Sequence, residues 1–578
     1  LDEFVILFSF PFDVSKIFTI HNILMKMKNS ILILVGLIFF NAANAQIPAL
    51  KKNDYGAIQL IVHGKPFLML AGEVNNSSGS NIPYMAKTMK DLHDANLNSV
   101  LVSVSWEIIE PKEGIFDFTS VDELIRVARE NDMKLGILWF GTWKNGLSPY
   151  APVWVISDTK RFARVKNDKG ENTRTLTPLC AATCDADAKA FNALMKHIAE
   201  VDSKENTILV IQVENEVGTL GQTRDFSSEA NKTFESQVPE ELIQYMIKNR
   251  QTLQIELKTV WESNGSKTKG TWAEIFGKND DADLFFMAWN YSRYLNAVAE
   301  SGKKAYNIPM YANCWMPNPR PNPGKPGNYP SGGPILTVHD IWKEGAPSID
   351  ILSPDLYGGD FKDEARFFHR ADNPLFIPET NTTDGPGTYA FAEHDAICFS
   401  PFGIDNQGNV MANEYELLTR LMPLITKYQG SGKMFGLYKS QGDTIGRDIK
   451  LNSDITVSIK FQRPFFRRPP VAEPNNPFAR PRNPACYGIF IQTGENEFIV
   501  AGMNLAVSTY STNPKKEVWL KDAWEGTYVN GLWKPIVLHN GDEAGFLSSG
   551  DPVYRIGKYR AYPSESAIFH FKTVSYER

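Results

Sequence analysis

Residues 208–216 read Ile208-Leu-Val-Ile-Gln-Val-Glu-Asn-Glu216. An apolar, β-branched run with little polar relief reads as a strand covered on both faces, as in a parallel sheet wrapped by helices. The run ends in an amide flanked by two acids. An ionised carboxylate at the end of such a strand is costly to bury unless it is paired or serves chemistry. One nine-residue stretch therefore suggests both a sheet type and a place to look for a site.

Similar runs recur on either side. Together with 207–216, the segments 67–74, 99–106, 134–140, 309–315, 350–357, 374–379 and 396–404 make eight short β-rich runs. Amphipathic helical patterns separate them at 83–95, 120–132, 185–203, 238–258, 280–301, 335–345 and 412–428. Strands alternating with helices predict a parallel sheet built from βαβ units. Eight of them predict a (β/α)₈ barrel, a TIM barrel, over residues 46–430. A doubly wound open sheet is the alternative, but no G-x-G-x-x-G follows any strand, and Gly430-Ser-Gly-Lys433 lacks the outline of a phosphate loop. After 430 the helical period stops. Alternating runs at 455–461, 487–492, 497–503, 517–520 and 567–571 predict a C-terminal β-sandwich domain over 431–578. The Pro- and Arg-rich stretch 463–484 reads as a loop within it, and the Pro/Gly-rich 316–334 as a loop after the fifth barrel strand.

Composition narrows the function. The 578 residues carry 60 Lys plus Arg against 66 Asp plus Glu, a net charge of −6. No basic excess exists to displace counterions from phosphates, so no nucleic acid partner is expected. The apolar fraction is 43%, which excludes wholesale disorder. One long apolar stretch occurs, at 31–40, behind the basic Met25-Lys-Met-Lys28 and ahead of Asn41-Ala-Ala-Asn-Ala45. This is the layout of a secretory signal peptide over 25–45, with Ala43 and Ala45 at the cleavage site. Residues 1–24 then read as an upstream extension and Gln46 as the mature start. Export to the periplasm or beyond is expected, without stable membrane insertion. The nine histidines show no paired ligand spacing, so neither a metal nor another cofactor is expected. Five cysteines are too few and scattered for a disulfide scaffold, although Cys180 and Cys184 lie close enough in sequence for a local bridge.

The chemistry of a (β/α)₈ barrel sits where its strands end. Glu73, Trp106-Glu107, Trp139, Asn215-Glu216, Trp315, Tyr357 and Glu379 stand at predicted strand ends. Glu216 and Glu379 end strands four and seven, which can face each other across a bound sugar. Glycoside hydrolysis needs two such carboxyls, about 5–5.5 Å apart when configuration is retained. Residues 212, 214 and 216 share a face of an extended strand, so Glu214 is expected to point inward beneath Glu216 as a buried polar partner, and it is the rival for the acid. Glu110 is expected in a loop ion pair. Trp143, Trp289 and Trp315 are candidates to stack on sugar rings, with core packing as the alternative for each.

Gln212-Val-Glu-Asn-Glu216-Val-Gly218 resembles the acid/base motif of glycoside hydrolase family 35, the β-galactosidases, a family related to family 42. Trp106-Glu-Ile-Ile-Glu110-Pro, followed by Gly114-Ile-Phe-Asp-Phe118, resembles the W-N-x-H-E-P and G-x-F-D-F motifs of its second strand. The resemblance implies Glu216 as acid/base and Glu379 as nucleophile, Asn215 on the sugar 2-hydroxyl, and Tyr357 hydrogen-bonded to the nucleophile. Glu73 and Asn76 are taken with them as sugar contacts. The chain departs from the pattern at Glu107 and Ile109, where Asn and His are usual, and at Val74-Asn-Asn-Ser77, where His-Tyr opens the family site. The implied activity is that of a retaining β-galactosidase acting on a galactoside, an oligosaccharide or polysaccharide side chain. The alternatives are the same mechanism on an arabinoside or fucoside, or a carbohydrate-binding protein without catalysis.

Overall fold

Eight parallel strands close into a ring. They are β1 (Met69–Glu73), β2 (Ser99–Ser105), β3 (Lys134–Lys144), β4 (Ile208–Asn215), β5 (Met310–Trp315), β6 (Ile351–Leu356), β7 (Phe376–Ile377 and Glu379–Thr380) and β8 (Cys398–Phe399). Each pairs with its successor, and β8 pairs with β1. β7 is split at Pro378, which has no N–H for the ladder. Its first half pairs with β8 and its second with β6, so the break leaves the ring closed. A computed structural model provides this architecture for residues 46–317, 324–407, 409–440, 443, 445–462, 485–539, 545–546, 552–556 and 566–578. The proposed leader and upstream extension, the loop 463–484 and residues 318–323 lie outside the described residues.

A principal helix follows each strand: α1 (Ile82–Asp94), α2 (Thr119–Glu130), α3 (Ala181–Asp202), α4 (Asp280–Ala305), α5 (His339–Gly345), α6 (Phe361–Phe368), α7 (Pro386–Glu393) and α8 (Ala412–Tyr428). Local chemistry sets their ends. Asn81 caps α1 by accepting from the Tyr84 N–H, and Asn279 caps α4 ahead of three acids in its first turn. The helix expected over 238–258 is two helices, Glu240–Lys248 and Ile255–Ser263. The Asn249 side chain donates to the Tyr245 carbonyl and ends the first, while Asp340 takes the Gln254 N–H ahead of the second. Helices α6 and α7, eight residues each, had no predicted counterpart. No helix among the described residues is long and apolar enough to cross a membrane.

The interior near the strand starts is apolar. Met69, Leu101, Leu138, Leu209, Tyr311, Ile351, Phe376 and Cys398 form one buried cluster with Leu60 and Val62. The last two come from a three-stranded antiparallel sheet before the barrel, Ala49–Lys52, Ile58–Val62 and Lys65–Phe67. Polar inward residues are thereby concentrated toward the strand ends.

Beyond α8 the chain forms two antiparallel sheets of six and five strands, the β-sandwich expected there. Val457, Ile459, Phe490, Phe498, Val507 and Phe571 pack between them. The other face of the six-stranded sheet places Tyr487, Ile489 and Ile499 in the same core as the barrel helices. The strand expected at 517–520 runs much further, over Lys516–Val529.

Candidate active site

The end of β3 shapes the site first. Its register against β4 shifts between Trp139 and Lys144, so that Lys144 comes opposite Asn215. Gly141 sits inside the shift. A Cβ there would lie 2.4 Å from Trp139 Nε1 and 2.5 Å from Glu214 Oε1, so only glycine fits. The backbone of β4 departs from extended geometry at the same level, with φ of 63° at Glu214 and 43° at Glu216. Positive φ costs a non-glycine residue steric strain, and here it re-aims both side chains.

This corrects the expectation for Glu214. Strand alternation holds only for an extended backbone, and Glu214 does not point inward beneath Glu216. Its two oxygens accept the backbone N–H groups of Thr142 at 3.0 Å and Trp143 at 2.6 Å, and the Asp187 carboxyl on α3 lies beside it at Gly141. Asp187 in turn accepts from Trp139 Nε1 at 2.9 Å, from Thr142 Oγ1 at 2.7 Å and from the Tyr294 hydroxyl at 3.1 Å. Burial, followed by the charge of Asp187, holds Glu214 well above the usual carboxylate range. Glu214 fastens the β3 end to the helix layer.

Glu216 and Glu379 converge at the strand ends, 6% and 5% exposed. Glu379 is an acceptor surrounded by donors. Its Oε2 accepts the Tyr357 hydroxyl at 2.8 Å, and its Oε1 accepts the amides of Asn215 and Asn313, each at 3.3 Å. Asn215 is oriented from behind by the Lys144 ammonium, which donates to its Oδ1 at 3.0 Å. Lys144 is itself buried and stands 4.9 Å above the Phe140 ring. Burial and then the charge of Glu379 push Glu216 up to about 7, against the lowering effect of an Asp355 hydrogen bond and of Lys144. Glu73, at the end of β1, is fully buried and held well above the carboxylate range by burial and Glu379, with Lys144 opposing.

Sequence reasoning missed three members of this site: Lys144, Asn313 and Asp355. Asn313 on β5 ties the others together. Its Oδ1 accepts the Glu216 N–H at 3.0 Å, and its Nδ2 donates to Asp355 Oδ2 at 2.9 Å as well as to Glu379. Asp355 stands beside Glu379 in the sheet register and is 2% exposed. Glu216, Asp355 and Glu379 each present a carboxylate oxygen within 4.8 Å of the others. Among the described residues they are the one group of acids, histidines or cysteines close enough to hold a cation. The same spacing of Glu216 and Glu379 is short enough for two carboxyls to act on one anomeric centre with retention.

The tryptophans divide. Trp315, at the end of β5, is 40% exposed and offers a ring face near the site, as Tyr357 does at 44%. Trp143 and Trp289 do not fit the expected stacking role. Trp143 is fully buried, donates to the Leu176 carbonyl and packs edge-on to Tyr291 and Tyr294. Trp289 is buried on α4, with Arg293 over its ring. The Asn76 side-chain oxygen is buried with no hydrogen-bond partner among the described residues. Glu110 forms no ion pair among the described residues. It accepts from Trp106 Nε1 and the Gly114 N–H, which braces the loop after β2. Cys180 and Cys184 are free thiols.

Residues 81–283 match the family model described as Beta-galactosidase (Glyco_hydro_42), and residues 411–548 match one described as Domain of unknown function (DUF5597). A comparison with curated proteins found no match. Among solved structures, a β-galactosidase from Bacillus circulans sp. alkalophilus is 16% identical over 62% of this chain and 57% of its own, with a TM-score of 0.43. A β-galactosidase from the psychrophilic Marinomonas ef1 is 12% identical over 62% and 61%, with a TM-score of 0.40. The catalytic domain of β-amylase from Paenibacillus polymyxa is 13% identical over 59% and 94%, also at 0.40. The chain thus spans less than two thirds of the length of the two β-galactosidases.

Proposed function

We propose that this chain, which carries a glycoside hydrolase domain over 81–283, is a retaining β-galactosidase that releases terminal β-galactose from an oligosaccharide or polysaccharide side chain. The observation that carries the reading is the pair of buried carboxyls just past β4 and on β7, with oxygens within 4.8 Å and Asn215 beside them. The galactose preference is supported by the description of the matched family model. Between the two related families, that model favours family 42 over family 35.

The reaction is a double displacement. Glu379 attacks the anomeric carbon while the bond to the leaving oxygen breaks and Glu216 gives that oxygen its proton. Glu216, now a carboxylate, takes a proton from water, and the water oxygen displaces Glu379 from the anomeric carbon. Tyr357, Asn215 and Asn313 hold the two Glu379 oxygens in place before attack. Asn215 is also placed to meet the 2-hydroxyl, and the exposed faces of Trp315 and Tyr357 to border the sugar. Once Glu379 is esterified its charge is gone, and Glu216 is released from the repulsion that kept its proton on. The same residue then serves as base.

The sign of the pH dependence follows. Activity needs Glu216 protonated, so kcat/KM should fall above about pH 7, by roughly tenfold per unit beyond the limb. A flat kcat/KM from pH 6 to 9 would contradict this. The substrate assignment is tested by assaying purified protein against nitrophenyl β-galactoside, α-arabinoside and β-fucoside. Turnover greatest on the galactoside supports it, and binding without turnover would replace it with a carbohydrate-binding role. We also propose export, on the pattern of residues 25–45. Exported protein should begin at Gln46, and Edman sequencing that finds residues 1–24 would reject this.

A further inference from the structure

We propose that Asp355 is a positioning residue that carries a proton in the resting enzyme and donates it in a hydrogen bond to Glu216, thereby fixing which Glu216 oxygen bears the transferable proton. The inference rests on the reading of Glu216 as acid/base.

Three buried carboxylates with oxygens within 4.8 Å cannot all be ionised at neutral pH. Asn313 donates to Asp355 Oδ2 at 2.9 Å, while the buried Oδ1 has no hydrogen-bond partner among the described residues. Glu216 and Glu379 each present an oxygen within 4.8 Å of an Asp355 oxygen, and since both Glu379 oxygens already accept donors, Glu216 is the acceptor open to Asp355. Two carboxyls hydrogen-bond to each other only when one supplies a proton.

The surroundings place that proton on Asp355. The titratable groups around it are Glu73 on β1, Glu216 just past β4, Tyr311 and Cys314 on β5, Tyr357 just past β6, and Glu379 on β7. Among the described residues the cation at this cluster is Lys144, which acts on Glu73 and Glu216. Burial, then Glu379 and Glu216, hold Asp355 well above the carboxylate range.

The consequence is directional. One Glu216 oxygen is occupied as an acceptor, so its proton sits on the other. After that proton leaves, the Asp355 bond strengthens and stabilises the Glu216 carboxylate until water restores it. Asp355 thereby keeps Glu216 more acidic than burial and Glu379 alone would leave it.

The test is the alkaline limb of kcat/KM on an aryl β-galactoside. Asp355→Ala removes the donor and should move the limb up by roughly half a pH unit or more. Asp355→Asn keeps an N–H donor toward Glu216 and should leave the limb within a few tenths of a unit of wild type. An infrared difference spectrum, wild type minus Asp355→Asn at neutral pH, should contain a protonated-carboxyl band. That spectrum decides the matter if the alanine variant does not fold. A limb that moves down in both variants would mean that Asp355 is ionised at rest, and overturns the proposal. A limb unmoved in both, or the absence of the band, overturns it as well. Glu216→Gln separates this from failure of the underlying reading: the limb should vanish, and its persistence would show that Glu216 is not the acid.

Discussion

Replacing Glu379 by glycine should lower hydrolysis of aryl β-galactosides by roughly 10⁴- to 10⁶-fold, the range in which removal of a covalent nucleophile falls. No glycosyl ester can form, and the remaining acids have no equivalent position. Asp355 lies beside Glu379 in the sheet, but it is 2% exposed and held by Asn313, so it cannot advance to the anomeric carbon. The space vacated by the Glu379 side chain is lined by donors, Tyr357, Asn215 and Asn313. Azide or formate should occupy it and attack from the face the carboxylate used. With a good leaving group the product is then the α-configured adduct, opposite to wild type. Proton NMR of the azide product checks this, and a β-configured azide from this variant would show that Glu379 is not the nucleophile.

Glu216→Ala should behave differently. Loss of the general acid should cost about 10²- to 10⁴-fold on substrates whose leaving oxygen needs a proton, and much less on aryl galactosides with acidic phenols. The second step then limits turnover, because no base activates water. Azide needs no base, so it should restore that step and give the β-azide with retained configuration. Glu214→Gln is the paired control. Glu214 is held between two backbone N–H groups and Asp187, away from the reacting centre. A glutamine offers one oxygen to two N–H groups, so that variant should lose thermal stability and show no azide effect. Azide rescue in Glu214→Gln and none in Glu216→Ala would exchange the two assignments.

Much of the barrel could be read from the chain, because each buried strand must be apolar on both faces and each helix on one. The ring of β1 to β8 falls on the eight runs read from the sequence. The short helices α6 and α7 escaped because eight residues barely complete two turns, too few for a period to register. Within the site, the terminal acids of β4 and β7 were visible because they end their runs. Asp355 and Asn313 were not, because they sit before the end of β6 and β5, inside apolar segments. The signal was nonetheless present: a polar residue at an inward position of a barrel strand must be partnered or functional. Lys144 was hidden for another reason. The run read as ending at Phe140 continues through Gly141 to Lys144, a continuation that depends on a register shift. The same irregularity accounts for Glu214, whose direction follows from a positive φ that strand alternation does not contain. Trp143 and Trp289 were read from residue type, and type alone does not tell a ring facing sugar from one packed behind the barrel.

Covalent trapping tests the central assignment most directly. A 2-deoxy-2-fluoro-β-galactoside with a good leaving group slows both displacement steps, and the fast-leaving group lets the first outrun the second, so the glycosyl-enzyme accumulates. Mass spectrometry of the intact protein should then gain one fluorogalactosyl group, and fragmentation of the labelled peptide should place it on Glu379. A label on Glu216, Asp355 or Glu73, or steady turnover with no label at all, would contradict the account.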